Sequence, residues 1–296
     1  MHQRLLIIGS GFSGQAVARA AGEAGMAVVT TTRGPAGQGR LAFTEAGQGR
    51  LAFTEAGQGP LAFAEAGAAL PGFTHLLMTA PPGEAGDPFL AVHGVALPGG
   101  LVWAGYLSTT GVYGDRGGAW VDEATPPAPG KPRSVRRLAA EEAWRAAASG
   151  RFALDLFRVA GIYGSGRSAF DDLRAGHARR THKPGHAFGR IHVEDIAQAV
   201  LAAIARPPLP ARVLHLSDDE PAESAVVVEH AASLLGVAPP PLVEYAAAEP
   251  GMSEMARSFW SENRRVSCTA TKAALGIAWR HPSYREGLAA ILKAGG

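Results

Sequence analysis

A short apolar segment, a glycine-rich turn and an alanine-rich segment follow one another near the start of the chain. Residues 5–8 (LLII) have the composition of a strand, residues 9–14 read GSGFSG, and residues 15–24 favour a helix. In such a turn the first glycine permits a tight bend, the second lets the backbone approach a pyrophosphate, and the third lets helix and strand pack closely. Because the chain holds 38 glycines, a ligand-free βα turn is the alternative. The pattern predicts a dinucleotide site formed by Gly9, Gly11, Phe12, Ser13 and Gly14.

The residues that follow the second apolar segment, residues 27–31, indicate which dinucleotide binds. A carboxylate about 20 residues after the glycine turn would accept a hydrogen bond from the ribose 2′-hydroxyl of NAD. This chain has Thr32 and Arg33 there instead. A guanidinium without a carboxylate favours the 2′-phosphate of NADP, with NAD as the second choice. Arg33 as a solvated loop residue is the other interpretation.

A tandem decapeptide follows the second segment. Residues 36–45 and 46–55 are identical (AGQGRLAFTE), and residues 56–65 read AGQGPLAFAE. We expect one LAF triplet to supply the third strand of the sheet and the other copies to be an insertion without function. Self-association of exposed LAF triplets, edge to edge, is the alternative role.

Further apolar segments alternate with helical ones and predict a doubly wound α/β sheet of the Rossmann type. The expected strands are residues 74–78, 101–107, 152–159 and 213–217. Ligands of such sheets bind at the carboxyl ends of the strands. Thr79, Ala80 and Pro81 follow the fourth strand and are therefore expected beside the cofactor.

Composition excludes several classes of protein. The net charge of +2 is too small for a nucleic-acid-binding surface, and the single cysteine, Cys268, cannot form an intrachain disulfide. No uninterrupted apolar run approaches the length of a membrane span. We expect a soluble cytoplasmic protein with a small-molecule substrate.

Four motifs occur in the order found in one known family. They are GSGFSG at residues 9–14, YLSTTGVYGD at 106–115, FRVAGIYGSG at 157–166 and RIHVEDIAQA at 190–199. Over nearly its whole length the chain resembles the extended or atypical short-chain dehydrogenase/reductases, the NAD(P)-dependent epimerase/dehydratase group. Many members of that group act on nucleotide-linked sugars.

The resemblance implies a division into two domains. A Rossmann domain over residues 1–160, rejoined by 190–218, would hold NAD(P), with Ser108 and Ala160 among the contacts. Residues 161–189 and 219–296 would form a smaller C-terminal α/β substrate-binding domain, and residues 36–65 an insertion. A homodimer is a further expectation from the resemblance.

The catalytic residues of the family are only partly present. The family's Ser or Thr falls on Thr109, four residues before Tyr113, although a hydroxyl that merely ends a strand is the alternative. Its Tyr and Lys positions fall on Arg133 and Arg137. Only four lysines and five tyrosines occur, and no Tyr-x-x-x-Lys exists anywhere in the chain. Because arginine stays protonated, Arg137 is suited to hold a ribose or phosphate but not to act as a base.

Other titratable groups remain as proton donors. Tyr113, Tyr163 and His192 are the candidates by family position, and each has a structural interpretation as well. For His192 that interpretation is a hydrogen bond at a strand-to-helix junction where Asp195 caps the helix.

Substrate contacts are expected from Tyr163, Arg167, His192 and Arg264. An arginine-rich segment, residues 168–189, suits an anionic group, or else is a solvated face. Residues 258–265 (SFWSENRR) could stack on a base and bind phosphate, or form a helix-capping loop. The histidines of 168–189 lack a metal-binding spacing, so we predict no metal site.

Two hypotheses of different kinds remain. The favoured one is an NADP-dependent oxidoreductase or epimerase acting on a carbonyl or hydroxyl of a small, anionic or nucleotide-linked substrate. The other is a catalytically silent NADP-binding sensor or scaffold, suggested by the missing Tyr and Lys.

Overall fold

The computed structural model describes residues 3–32, 61–94, 97–208 and 210–295. The chain divides into two compact units. The sheet unit consists of Met1–Ser108, Arg136–Arg158 and Ile196–Leu214, and the C-terminal unit of Thr109–Val135, Val159–Asp195 and His215–Gly296.

Seven of the strands form one sheet. The described strands are β1 Arg4–Ile8, β2 Ala27–Thr32, β3 Leu61–Ala62, β4 His75–Met78, β5 Trp103–Thr109, β6 Trp120–Val121, β7 Ala153–Val159, β8 Gly161–Tyr163, β9 Arg180–His182, β10 Arg190–His192, β11 Arg212–Leu216, β12 Leu242–Glu244 and β13 Arg265–Val266. The sheet runs β3-β2-β1-β4-β5-β7-β11, and the pairs β1–β2, β1–β4, β2–β3 and β4–β5 are parallel. The predicted Rossmann α/β fold is confirmed, and its strand order reverses between β1 and β4.

Helices connect these strands. They are α1 Phe12–Glu23, α2 Ala66–Ala69, α3 Pro88–His93, α4 Pro132–Ala148, α5 Ala169–Arg174, α6 Val193–Ala205, α7 Ser224–Leu235, α8 Tyr245–Ala248, α9 Glu254–Trp260, α10 Thr269–Leu275 and α11 Tyr284–Lys293. Pro132 starts α4, where its missing N–H costs no helical hydrogen bond. No helix among the described residues is both long and apolar enough to span a membrane.

The core of the sheet unit follows from strands that are buried on both faces. All of β4 and β7, and all of β1 except Arg4, are buried. Such strands read as continuous apolar runs because no face meets water. The core cluster includes Leu6, Ile8, Leu76, Met78, Tyr106, Trp144, Leu154 and Leu156.

One LAF triplet supplies the third strand, as predicted, and it is that of the last decapeptide copy. Leu61 and Ala62 pair with Thr31 and Thr32 of β2. Leu61 also packs against the core cluster. The first two copies, residues 36–55, and Arg33 lie outside the described residues.

The fifth strand begins and ends two residues later than expected. Leu101 belongs to the preceding turn, since its N–H donates to the carbonyl oxygen of Pro98 at 3.2 Å. The strand therefore ends at Thr109 rather than residue 107.

The C-terminal unit contains three small parallel strand pairs, β8–β10, β9–β12 and β6–β13. Its core joins helices α5, α7 and α11 and includes Tyr163, Phe170, Ala231, Leu288 and Ile291.

Candidate active site

The glycine turn between β1 and α1 is tightly packed at its two ends and open in the middle. Gly9 has a φ of +109°, and a Cβ atom there would lie 2.5 Å from Oγ1 of Thr79. A Cβ on Gly14 would lie 2.1 Å from the carbonyl oxygen of Gly9, whereas one on Gly11 would meet no atom within 4 Å. Packing therefore requires glycine at positions 9 and 14. At position 11 the backbone is accessible.

The first turn of α1 leaves its backbone donors without side-chain caps. Gly11 occupies the N-cap position with no side-chain cap, and the first turn has no acidic residue. Phe12 and Ser13, the first two helical residues, are half-buried. Backbone N–H groups at the start of a helix and the positive end of its dipole together suit an anion such as a pyrophosphate. The turn thus fits a dinucleotide.

Two threonines hold the turn in place. The N–H of Gly9 donates to Oγ1 of Thr31 at 3.1 Å. The Thr79 hydroxyl lies 2.9 Å from the carbonyl oxygen of Ile8 and 3.1 Å from that of Gly9. Thr79 follows β4, so it bridges the two strands between which the strand order reverses. The sequence marked Thr79 but gave no sign that Thr31 supports the turn, because Thr31 reads only as a strand residue.

The other residues expected at this edge lie near the strand ends. Thr32 is the half-buried last residue of β2, Ala80 is half-buried, and Pro81 is exposed. Arg33, on which the preference for NADP depends, lies outside the described residues. Their cofactor contacts stay predictions.

Ser108 belongs to a buried polar chain. Its hydroxyl donates a short hydrogen bond to Oε1 of Glu141, and Nη2 of Arg158 lies 2.7 Å from Oε2 of the same carboxylate. Ser108, Glu141 and Arg158 are 5%, 0% and 4% exposed. Donating to Glu141 uses the one proton of the Ser108 hydroxyl, so its oxygen can meet a cofactor only as an acceptor. The side chain as observed therefore supports the fold.

Arg137 lies one helical turn before Glu141 on α4, on the same face of the helix. Its Nη1 donates to the carbonyl oxygen of Leu107 at 2.8 Å and to the hydroxyl of Tyr106 at 3.2 Å. The guanidinium is half-buried at the carboxyl end of β5. A fixed positive charge thus stands where the resemblance placed the family's lysine, and a contact with the cofactor stays a prediction.

Thr109 ends β5 and caps the short 3₁₀ turn Thr110–Tyr113. Its Oγ1 accepts from the N–H of Gly111 at 3.1 Å, and the residue is half-buried. A threonine hydroxyl has one proton and two lone pairs, so accepting this bond leaves its proton available. The hydroxyl can end the strand and still donate to a substrate oxygen.

Tyr113 is enclosed in the C-terminal unit. Its hydroxyl lies 2.5 Å from Nε2 of His215 and 3.1 Å from the carbonyl oxygen of Asp122. Tyr113 and His215 are both 0% exposed. This geometry argues against proton transfer from Tyr113 to an external substrate. His215 was not predicted from the sequence, because it lies 102 residues further along the chain.

Tyr163 is also buried and bonded. Its hydroxyl donates to the carbonyl oxygen of Ser283 at 3.2 Å. A Cβ on Gly287 would lie 2.0 Å from this hydroxyl, so α11 packs directly on the ring. Burial, reinforced by the charge of Asp218, raises the pKa of Tyr163 well above its usual value. The phenol is held neutral and fixed.

His192 makes the junction hydrogen bond that the sequence suggested, but Asp195 does not cap α6. Nδ1 of His192 accepts from the N–H of Glu194 at 3.3 Å. The carboxylate of Asp195 instead accepts from the N–H groups of Arg280 at 2.6 Å and His281 at 3.2 Å. The prediction was wrong because α6 begins at Val193, which places Asp195 inside the first turn.

The expected substrate arginines differ in their surroundings. Arg167 is exposed and forms a backbone bridge with Gly164. Arg264 donates from Nη1 to the carbonyl oxygen of Gly114 at 2.8 Å and to Oε2 of Glu262 at 2.9 Å.

Ala160, expected at the cofactor, donates its N–H to the carbonyl oxygen of Leu216 at 2.9 Å.

The arginine-rich segment 168–189 is largely engaged within the C-terminal unit. Arg180 forms an ion pair with Glu229, and the Arg179 guanidinium donates to the carbonyl oxygen of Ala178. Arg174 lies over the ring of Phe170. These contacts favour a structural role for the segment.

No family model matches the chain. A 3-diazoavenalumate denitrifying reductase from a Streptomyces species is 30% identical over 168 residues, which are 55% of this chain and 54% of that protein. The chain thus aligns with about half the length of this curated relative.

A solved structure gives a match over the full length. The functionally unknown conserved protein from Silicibacter pomeroyi is 38% identical, with 99% of both chains covered and a TM-score of 0.82. The chain belongs to the same family as this protein.

More distant structures share the fold. The human epimerase family protein SDR39U1, solved with NADPH, is 18% identical over 98% of both chains with a TM-score of 0.74. MoeE5, solved with UDP-glucuronic acid and NAD, is 18% identical over 98% of both chains with a TM-score of 0.70. The fold is that of the NAD(P)-dependent epimerase/dehydratases, and the resemblance seen in the sequence is confirmed at that level.

Proposed function

We propose that this protein is an NADP-dependent oxidoreductase or epimerase that acts on a carbonyl or hydroxyl group of a small anionic substrate. The observation that carries the proposal is the glycine turn. Gly9 and Gly14 are required by packing, while Gly11 and the uncapped start of α1 offer backbone donors to an anion. Nicotinamide cofactors in two structural relatives and a reductase among the sequence relatives support it.

The bound cofactor would supply or accept a hydride at its nicotinamide ring. The chain's own contribution is to bind and orient. Backbone N–H groups at the start of α1 would hold the pyrophosphate, and Arg33 would select the 2′-phosphate. Arg137, fixed on the carbonyl oxygen of Leu107, would place a permanent positive charge toward the ribose or a phosphate.

Thr109 is the proposed catalytic residue. Its hydroxyl proton is left available by the bond from Gly111, so it can donate to a substrate carbonyl oxygen and orient it. Neither arginine at the family's Tyr and Lys positions can act as an acid or base at a working pH. Tyr113 and Tyr163 are buried and hydrogen-bonded, so the proton would come from a group other than these phenols.

The proposed substrate class rests on residues of the C-terminal unit and on the relatives. Arg167 and Arg264 are the proposed contacts for an anionic group. A nucleotide-linked sugar is one such substrate, since MoeE5 was solved with UDP-glucuronic acid. We also propose that the protein works in the cytoplasm and forms a homodimer.

Turnover and binding test the enzyme proposal together. NADPH fluorescence titration should give tight binding with a preference over NADH, and a carbonyl panel should reveal NADPH oxidation. Thr109→Ala should lower the rate at least about 100-fold with unchanged NADPH affinity. The exposed Thr269→Ala is the matched control. Tight NADPH binding without turnover across the panel would overturn the enzyme proposal.

The second candidate function is an NADP-binding sensor without catalysis. It is favoured by the burial of Tyr113 and Tyr163 together with the lack of any Tyr-x-x-x-Lys in the sequence. A sensor must bind a protein partner with an affinity that differs between NADP⁺ and NADPH. Equal capture of partners in the two cofactor states would exclude it.

A further inference from the structure

Three potential metal ligands from two separate segments meet in the C-terminal unit. His192 ends β10, Glu194 lies in the first turn of α6, and His281 precedes α11. One ligand atom from each residue lies within 4.8 Å of the other two. Nε2 of His281 is 3.0 Å from Oε2 of Glu194, and the two imidazole ring centres are 4.0 Å apart.

One of these ligands has a buried atom that lacks a partner. His192 is 4% exposed, and its Nε2 makes no hydrogen bond within the part of the chain that the structure describes. Leaving a buried polar nitrogen unbonded is costly, so such an atom suggests a missing ligand. The other ring nitrogen accepts only a long bond, 3.3 Å, from the N–H of Glu194.

The neighbouring residue Asp195 holds the segment of one ligand in place. Asp195, which is 0% exposed, accepts from the N–H groups of Arg280 and His281 and so fixes the segment that carries the second histidine. The charge of the exposed Arg280 acts on both Glu194 and Asp195. Asp195 thus fixes the backbone of one ligand rather than its imidazole ring.

We propose that His192, Glu194 and His281 bind a divalent transition-metal cation of the zinc type. Two imidazole nitrogens and one carboxylate oxygen favour Zn²⁺ or Co²⁺ over Mg²⁺, which prefers oxygen ligands. Ligands about 2.0–2.1 Å from a tetrahedral ion lie about 3.3 Å from one another, so the 3.0 Å spacing of His281 and Glu194 already fits. The ion would replace the hydrogen bond between Nε2 of His281 and Oε2 of Glu194, and a turn of the His192 ring would give up its long bond from the N–H of Glu194.

This cation has a structural consequence. It would tie the start of α6 to the segment before α11, two elements 87 residues apart. No metal site was predicted from the sequence, because only the histidines of residues 168–189 were considered. His281 lies far from His192 along the chain and gave no spacing signal.

Calorimetric titration of the EDTA-treated full chain with Zn²⁺ tests the proposal. We expect one equivalent of Zn²⁺ per chain, no binding of Mg²⁺ at the same concentrations, and a rise in Tm of about 5 °C at a hundredfold excess over Kd. Glu194→Gln and His281→Asn should each weaken Zn²⁺ binding at least about tenfold. Because the Glu194 side chain is 51% exposed, its variant should fold even if His281→Asn does not.

Two controls separate this site from other histidines. His177 is exposed, and His177→Asn should leave Zn²⁺ affinity unchanged. His182 lies 2.9 Å from Glu244 and 3.7 Å from Glu223, so it is the competing site. The proposal is wrong if no stoichiometric Zn²⁺ binding occurs, if Glu194→Gln keeps full affinity, or if His182→Asn removes the binding instead.

Discussion

The hydroxyl of Tyr113 lies 2.5 Å from Nε2 of His215, and neither residue is exposed to solvent. Nδ1 of His215 lies 2.8 Å from the carbonyl oxygen of Ser267, which can only accept, so Nδ1 carries the proton. Nε2 is then the acceptor for the Tyr113 hydroxyl. These bonds link the turn Thr110–Tyr113 to His215 and Ser267 within the C-terminal unit.

Tyr113→Phe removes one of these bonds and should act on stability rather than on turnover. A buried acceptor on His215 loses its donor, which should lower the free energy of unfolding by about 1–3 kcal/mol in urea. The rate of any NADPH oxidation should stay within about twofold. Tyr245→Phe, which loses a bond only to Glu249 on a short helix, is the milder control. A 100-fold loss of kcat at unchanged stability would make Tyr113 a catalytic acid.

Substitutions at two positions of the glycine turn distinguish a packing role from a cofactor-binding role. Gly9→Ala introduces a Cβ 2.5 Å from Oγ1 of Thr79 on a backbone with positive φ, so urea unfolding should show a loss of about 1–3 kcal/mol. Gly11→Ala meets no protein atom and should leave stability within about 0.5 kcal/mol. It should nevertheless weaken NADPH binding about tenfold, because the new methyl group occupies the expected approach of the pyrophosphate.

Gly100→Ala is the matched control for this pair, since a Cβ there also meets nothing within 4 Å but lies in a distant turn. If Gly11→Ala and Gly100→Ala bind NADPH equally well, the turn is not the pyrophosphate site.

The fold was predictable because its signals are local. The strands of a parallel sheet are buried on both faces, so LLII at β1 and the apolar run of β7 are visible as uninterrupted segments. Gly9 and Gly14 were recognisable because their role depends on immediate neighbours. The sequence also predicted that one LAF triplet is a strand, but not that the last copy supplies it.

The supporting contacts were not predictable, since they join distant segments. Glu141 lies 17 residues before Arg158 and 33 after Ser108, and no periodicity links the three. Asp195 was assigned to a helix cap because the sequence shows only its neighbours, whereas its partners lie 85 and 86 residues away. A pattern along the chain indicates which residues are polar and buried, but not which of them meet.

The buried Glu141–Arg158 pair should be much more sensitive to substitution than a surface pair. Glu141→Gln leaves the guanidinium of Arg158, which is 4% exposed, without its carboxylate. Removing one partner of a buried ion pair costs about 3–5 kcal/mol. Glu220→Gln breaks the exposed pair with Arg285 and should cost less than about 1 kcal/mol. Equal urea midpoints for the two variants would contradict the assigned role of Glu141.

His186 should make the protein sensitive to acid. Burial, reinforced by the charge of Lys183, lowers the pKa of His186 to about 4, and the residue is 3% exposed. The folded state therefore keeps this imidazole neutral where the unfolded chain, with a pKa near 6.5, binds a proton. Stability from this residue is present above about pH 6.5 and is lost as the pH falls toward 4, by about 3 kcal/mol at most.

His186→Gln should reduce this loss. The difference in unfolding free energy between pH 7 and pH 4.5, measured in urea, should be smaller in the variant by about 1–3 kcal/mol, whatever its stability at pH 7. An unchanged pH dependence in His186→Gln would show that His186 is protonated in the folded state.

One decapeptide copy should be enough for the fold. Deleting residues 36–55 removes the two identical copies and keeps the one that contains β3, so unfolding free energy and NADPH affinity should stay unchanged. Deleting residues 36–65 removes all three copies and with them Leu61, which pairs with Thr31 and packs against the core of the sheet unit. That deletion should lower Tm by several degrees, since an apolar side chain and an edge strand are lost together. Equal loss from both deletions would give the first two copies a role in the fold, and no loss from either would show that β3 adds nothing to stability.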